Sequence, residues 1–184
     1  MTTPKDWEIT HEERLLSTPI FNTQRVRARS PRTQREHQFM RLVSPGWVNV
    51  IPITETRDVV MVRQYRHGTR ELTLEIPGGM VDPGETPIEA GARELLEETG
   101  YAAPQLLPLG HVHPNPALFD NACHTFLAEG TVQVADMQPQ GSEDIGLELH
   151  ALADIPRLIR SGVITHALVI AAFHWLALHE PGQP

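Results

Sequence analysis

The sequence contains little cysteine and no long apolar run, and these absences narrow the possible classes of protein. Cys123 is the single cysteine among 184 residues, so no disulfide can form within the chain, and a reducing cytoplasm is the expected compartment. Nowhere do eighteen apolar residues, the length of a membrane-spanning helix, follow one another. The first sixteen residues also lack the apolar stretch of a signal peptide. We therefore expect a cytoplasmic protein that neither crosses a membrane nor is exported.

The sequence also contains fewer basic than acidic residues. Lysine and arginine number 15 against 23 aspartates and glutamates, which gives a formal net charge of −8. Nucleic acids and anionic lipids repel net negative charge, so neither is an expected partner. The apolar fraction of 40% is that of an ordinary globular chain able to bury one sizeable core.

The organisation of the chain predicts an N-terminal segment over residues 1–45 and a main domain over residues 46–184. Polar and apolar side chains alternate loosely over residues 21–29, as in a strand with one solvent-exposed face. We therefore predict that the N-terminal segment is a β-hairpin. The basic run over residues 25–41 is interpreted as a solvated edge strand, with a binding surface as the alternative.

The main domain alternates short β-branched runs with helical patterns. Strands are predicted over residues 47–53, 59–62, 72–76, 106–112, 123–128 and 145–152. Helices are predicted over residues 155–160 and 165–179, besides one that follows Thr86. Strands on both sides of a central helix, with further helices at the end, predict an α/β fold in which a β-sheet lies between α-helices.

The helix after Thr86 has clear start and stop signals. Thr86 supplies a hydroxyl N-cap, Pro87 occupies the first helical position and Glu89 the third, which together form a capping box. Gly100 supplies the C-terminal stop. The boundaries of this helix are therefore predicted to within a residue or so.

Three carboxylates share one face of that helix. Glu94, Glu97 and Glu98 stand at positions i, i+3 and i+4, which lie side by side at 3.6 residues per turn. Clustered like charges destabilise a helix unless a cation neutralises them, and oxygen ligands suit a hard ion such as Mg²⁺, with Mn²⁺ as a substitute. Gly78, in the glycine pair that precedes the helix, is the candidate for a backbone ligand.

The pattern around these carboxylates resembles a known family motif. Gly79, five residues, Glu85, seven residues and then the run from Arg93 to Gly100 match the fixed positions of the 23-residue Nudix box. The resemblance implies a Nudix fold, with a mixed sheet between helices, and a pyrophosphohydrolase that uses a divalent metal.

The resemblance also implies roles for the residues of the box. Glu94 and Glu98 are the principal metal ligands, and Glu97 is a further ligand or positions the attacking water, so Glu97 and Glu98 count as catalytic. Glu85 pairs with Arg93 and braces the loop against the helix, which is a structural role.

A general base is implied beyond the box. In Nudix enzymes that act on ADP-ribose it often comes from a glutamate on a later loop, which residues 141–145 resemble. Glu143 is the preferred base, and Asp144 is the alternative. In a further alternative, both carboxylates only keep the loop soluble.

The resemblance to the ADP-ribose and nucleoside diphosphate sugar branch suggests the substrate. Arg63 and Arg66 are expected to hold phosphate oxygens, because a guanidinium can bind them at two points, with surface charge at a strand end as the alternative. Trp47 can stack on a nucleobase, although it can equally belong to the core. Pro116 stands where that branch carries a proline. We expect hydrolysis of ADP-ribose to AMP and ribose 5-phosphate, with GDP-mannose and UDP-glucose as other candidate substrates.

Other functions remain open. The chain could cleave nucleoside triphosphates or dinucleoside polyphosphates, or it could be a nucleotide-sugar sensor without catalysis. In related enzymes an N-terminal segment exchanges between subunits, so we also expect a homodimer with residues 1–45 at its interface.

Overall fold

The computed structural model describes residues 3–138 and 144–179, and the chain divides into two compact units. The first unit comprises Met1–Pro45 together with His113–Asn121, and the second comprises Gly46–Val112 and Ala122–Pro184. The first unit is therefore built from two separate stretches of chain. A backbone hydrogen bond from Leu42 to the carbonyl of Leu118, 2.8 Å long, helps to join those stretches.

The first unit contains a three-stranded antiparallel sheet. Its strands are β1 (Glu8–Ser17), β2 (Asn22–Arg29) and β3 (Glu36–Val43), in the order β1-β2-β3. The segment predicted as a hairpin thus has an additional strand, β1, whose many charged residues did not suggest one. Cross-strand ion pairs with β2 account for that charge, since Glu8 and Glu13 each contact an arginine of β2 at 2.8 Å.

The basic run of the N-terminal segment is only partly an edge strand. β2 lies in the centre of the sheet, between β1 and β3, so the edge-strand interpretation is wrong for residues 25–29. β3 does lie at an edge. The difference arises because the prediction did not include β1.

The second unit is built on a seven-stranded mixed sheet. In chain order the strands of this unit are β4 (Trp47–Ile53), β5 (Asp58–Arg66), β6 (Glu71–Glu75), β7 (Gly78–Met80), β8 (Tyr101–Ala102), β9 (Leu107–Val112), β10 (Cys123–Glu129), β11 (Val132–Gln133) and β12 (Ile145–Ala151). The main order is β12-β5-β4-β10-β9, while β6 pairs with β5 and β7 with β4. The pair β4–β10 is parallel and the other ladders of this sheet are antiparallel. A separate ladder joins β8 to β11.

Helices cover both faces of this sheet. They are α1 (Pro87–Thr99), α2 (Ile155–Arg160) and α3 (Ala167–His179). Val48 and Val50 of β4 pack with Leu95 of α1, whereas Ile51 and Ile53 belong to a larger core with α2 and α3. The alternation along β4 therefore places one apolar layer on each side, and the predicted sheet between helices is confirmed. In the part of the chain that the structure describes, no helix is long and apolar enough to cross a membrane.

Candidate active site

Helix α1 begins and ends at the residues that the sequence predicted. The hydroxyl of Thr86 accepts a hydrogen bond from the N–H of Glu89, and the Glu89 carboxylate accepts one from the N–H of Thr86, which completes the capping box. Gly100 has a φ of 73°, and its N–H donates to the carbonyl of Leu96. The apolar residues Ala90 and Leu95 pack against the sheet. The helix is thus fixed at both ends and along one face.

The carboxylates of α1 lie directly against the glycine strand β7. Glu98 is buried, and its Oε2 accepts a hydrogen bond of 2.9 Å from the N–H of Gly78. A Cβ atom on Gly79 would lie 2.3 Å from Oε1 of Glu94, and one on Gly78 would lie 2.3 Å from the carbonyl oxygen of Val48. Gly78 therefore requires glycine, because a Cβ there would overlap the backbone of β4, whereas a Cβ at Gly79 would displace the Glu94 carboxylate.

Arg93 holds the acidic face together. Its Nε and Nη2 donate to the two oxygens of Glu85 at 2.8 and 2.9 Å, so the pair that the resemblance implied is present as a two-point contact. Its Nη1 donates to Glu94 at 2.8 Å and to Glu97 at 3.3 Å. These hydrogen bonds, from Glu85 first, outweigh burial and raise the pKa of Arg93, and the same contact lowers the pKa of Glu85.

The three carboxylates share a face, and donors from two different residues hold them. Arg93 holds Glu94 and Glu97, whereas the backbone of Gly78 holds Glu98. Among residues 3–138 and 144–179, no group of three or more acidic, histidine or cysteine side chains is placed so that it could hold a metal ion by itself. An oxygen-only set on one helix face beside a glycine strand still fits a hard cation that shares its coordination with substrate.

A cavity of about 290 Å³ borders the glycine strand β7. The polar and aromatic residues that line it include Trp47, Asn49, Arg66, Glu75 and His166, and Gly78 and Gly79 line it as well. The same two glycines thus contact the carboxylates of α1 and form part of the cavity wall. Cys123 also lines the cavity, and burial raises the pKa of its thiol to about 12, so it stays a neutral wall residue.

Arg66 and the buried Glu75 form a tight ion pair in that cavity. The guanidinium donates through Nε and Nη2, both at 2.7 Å, and Thr73 adds a hydrogen bond of 2.6 Å to the same carboxylate. Burial alone would raise the pKa of Glu75, but the hydrogen bonds from Arg66 and Thr73 hold that pKa below its ordinary value. Glu75 is therefore an ionised buried carboxylate.

Glu75 and His166 were missed by the sequence reasoning. Glu75 lies within the short strand predicted over residues 72–76, and a carboxylate that is buried in such a strand needs a partner. That signal could have identified Glu75. His166 precedes α3 and is one of ten histidines without distinctive spacing, so no local pattern distinguishes it as a site residue.

The other candidate residues lie in different surroundings. Arg63 donates to both oxygens of Glu148 on β12, and it is not among the described residues that line the cavity. Pro116 belongs to the first unit, where it lines a groove together with Trp7 and Phe39. Glu143 lies outside the described residues, and Asp144 is exposed just before β12. The roles assigned to these residues remain predictions.

Comparison with known proteins decides the family. A model of the NUDIX domain matches residues 45–173, which is more than half of the chain. The chain belongs to the Nudix family. Membership confirms the expected fold and the expected class of enzyme, a Nudix pyrophosphohydrolase, and enzymes of this family generally use a divalent metal ion.

Two relatives and one solved structure are similar over most of the chain. The sequence is 33% identical over 141 residues to an ADP-ribose pyrophosphatase of Bacillus subtilis, covering 76% of each chain. It is 29% identical over 182 residues to an ADP-ribose pyrophosphatase of Mycobacterium tuberculosis, covering 95% of this chain and 84% of the relative. The crystal structure of an ADP compounds hydrolase matches with a TM-score of 0.84 over 97% of this chain and 96% of that one, at 21% identity. This last match supports the fold alone.

The environment of Glu75 predicts how stability depends on pH. In the unfolded chain Glu75 titrates near the ordinary glutamate pKa of about 4.3, and in the fold its pKa is lower. Its ionised form therefore stabilises the fold fully above the unfolded pKa, and this contribution is lost as the pH falls through the folded pKa. We expect Glu75→Gln to reduce the free energy of unfolding at pH 7 by roughly 1–3 kcal/mol. The difference in this free energy between wild type and variant should become smaller at acidic pH.

Urea unfolding at a series of pH values between neutrality and about pH 3 measures this difference. Glu71→Gln, at an exposed position on the same strand, is the matched control and should follow the wild type throughout. Parallel curves for wild type and Glu75→Gln would contradict the assignment of Glu75 as a buried ionised group.

Proposed function

We propose that the enzyme hydrolyses the pyrophosphate bond of nucleoside diphosphate sugars, with ADP-ribose as the leading substrate and AMP and ribose 5-phosphate as products. The observation that carries this proposal is the position of Gly78 and Gly79, which contact the acidic face of α1 and also line the cavity. A diphosphate bound in that cavity would lie within reach of the acidic face. The two relatives named ADP-ribose pyrophosphatase support the choice of substrate.

The metal in this proposal is Mg²⁺, with Mn²⁺ as a substitute. Glu94, Glu97 and Glu98 would hold it, together with the backbone carbonyl of Gly78. A divalent ion bound there supplies charge neutralisation on the diphosphate and activation of water. The N–H of Gly78 fixes the Glu98 carboxylate and Arg93 fixes Glu94 and Glu97, so the ligands are oriented in advance.

Two cavity residues are proposed to bind the substrate. Arg66 places a guanidinium, held in one orientation by Glu75, in the wall of the cavity, where it would attract a phosphate oxygen. Trp47 is the first residue of β4 and lines the same cavity, where its ring would stack on the base.

Arg63 has a different place in this proposal. Its bonds to Glu148 tie β5 to β12, the strand that begins two residues after Glu143 in sequence. Arg63 would therefore support the position of the base from outside the cavity. Hydrogen bonding to Glu148, opposed by burial, raises the pKa of Arg63, so the pair keeps its charge.

A hydrolysis screen with Mg²⁺ tests the substrate class. We expect release of a nucleoside monophosphate from ADP-ribose, with weaker activity on GDP-mannose and UDP-glucose, and loss of activity when a chelator removes the metal. Glu98→Gln should lower kcat roughly 10²- to 10³-fold, because it removes a charged group beside the reacting phosphate.

Glu71→Gln, on the exposed part of β6, is the control for that substitution and should leave kcat unchanged. Product release from nucleoside triphosphates or dinucleoside polyphosphates alone would overturn the proposed substrate class. Tight binding of nucleotide sugars without any hydrolysis would instead indicate a sensor.

The identity of the general base is a separate prediction. We propose Glu143, and replacing a base by its amide should slow turnover on the order of 10²- to 10⁴-fold while KM changes little. Steady-state kinetics of Glu143→Gln and of its neighbour Asp144→Asn form a matched pair. A large effect in Asp144→Asn alone would transfer the role to Asp144, and normal kcat in both variants would remove the assignment.

We also propose that the enzyme is a homodimer with its N-terminal strands at the interface. The first unit leaves Trp7, Ile9, Phe39 and Met40 between 43% and 54% exposed, and all four line one groove. A second copy of the chain would cover this surface, which is more apolar than a solvated sheet face usually is.

Light scattering coupled to size exclusion tests this proposal. The expected mass is twice that of the 20.6 kDa chain, and Phe39→Glu should shift the equilibrium towards the monomer because it places a charge in an apolar contact. Leu178→Glu, which alters an exposed apolar residue on α3, should leave the mass unchanged. A monomeric wild type at micromolar concentration would exclude the dimer.

A further inference from the structure

The ring of His166 is fixed at the start of α3. The N–H of Leu168 donates to Nδ1 of His166 at 3.2 Å, and the carbonyl of His166 accepts from Val169 and Ile170. Because Nδ1 is an acceptor, the ring proton resides on Nε2. His166 therefore caps the helix with one nitrogen and presents a hydrogen-bond donor with the other.

That donor faces the carboxylate of Glu75 across a gap. Nε2 of His166 lies 3.9 Å from Oε2 of Glu75, which is too far for a direct hydrogen bond. Both residues line the cavity. An oxygen atom placed about 2.8 Å from each would make two hydrogen bonds, with an angle between them of roughly 90°.

The chemistry of this gap selects a particular group. The bridging atom must accept from an N–H and donate to an ionised carboxylate, and a hydroxyl does both. A phosphate oxygen only accepts, and Glu75 would repel its charge. The neighbouring Arg66, by contrast, suits the phosphate. The cavity wall thus places a site for a hydroxyl next to a site for an anion.

We propose that His166 and Glu75 together bind a sugar hydroxyl of the substrate and so determine specificity for nucleoside diphosphates that carry a sugar. This inference rests on the proposed function and deepens it. The hydroxyl can come from the ribose of the nucleoside or from the second sugar, and these two sources are separated by the choice of deoxy analogues.

The experiment measures kcat/KM for ADP-ribose and for analogues that lack one hydroxyl on either ribose. In the wild type, kcat/KM for the analogue without the bound hydroxyl should be roughly 10- to 100-fold lower, because the half-buried His166 and the buried Glu75 both lose their partner. His166→Asn keeps an acceptor for the N–H of Leu168, since asparagine is a good N-cap, but its short amide cannot reach the position of Nε2.

His166→Asn should therefore show the same loss with ADP-ribose and little further loss with the critical analogue. The ribose whose deoxy analogue behaves in this way is the one that is bound. His174→Asn, the same substitution at an exposed position of α3, should behave as the wild type with every substrate.

The assignment is overturned if His166→Asn lowers kcat/KM equally for ADP-ribose and all analogues, or does not lower it at all. Should His166→Asn fail to fold, as judged by circular dichroism, the wild type decides alone, and equal kcat/KM values for every analogue overturn it. If the wild type cleaves ADP-ribose and all deoxy analogues with equal kcat/KM, only this inference is refuted. A wild type that cleaves no nucleotide sugar refutes the proposed function as well.

Discussion

The close approach of β7 to α1 is the constraint on which the site depends. Gly79 lies so near to Glu94 that a single carbon atom would fill the space, and the Gly78 N–H binds the buried Glu98. A side chain at Gly78 would overlap the backbone of β4, and one at Gly79 would displace the Glu94 carboxylate. The approach fixes the acidic face relative to the sheet, and the same two glycines form part of the cavity wall. Packing and chemistry are therefore set by one contact.

Charge compensation explains how so many carboxylates coexist in the second unit. Arg93 contacts Glu85, Glu94 and Glu97, while Arg66 contacts the buried Glu75. Two arginines thus stabilise four glutamates. Each arginine contacts one of them, Glu85 or Glu75, through two nitrogens of its planar guanidinium. A lysine at either position would provide the charge without this geometry.

The fold and the acidic face were largely predictable from the sequence because their signals are local. The capping box, the spacing of the three glutamates and the β-branched strands each depend on residues close together in the chain. Glu75 and His166 were not found, because strand β6 and helix α3 bring them together from positions far apart in sequence. Arg63 and Arg66 looked equivalent in sequence, but the partner of each lies on a different strand, Glu148 on β12 and Glu75 on β6. Long-range pairing of this kind leaves no local pattern.

The discontinuous first unit has a consequence for dissecting the enzyme. Residues 113–121 leave the second unit and return to it, and within the first unit the backbone of Leu42 bonds to Leu118 and that of Ser44 to the Asp120 side chain. Removing the first 45 residues would strip these backbone groups of their protein partners, although the Nudix box itself would be untouched. Deleting the N-terminal segment therefore also affects residues 113–121 in the interior of the chain. A shortened enzyme would keep these residues as an internal loop without the strands on which they pack.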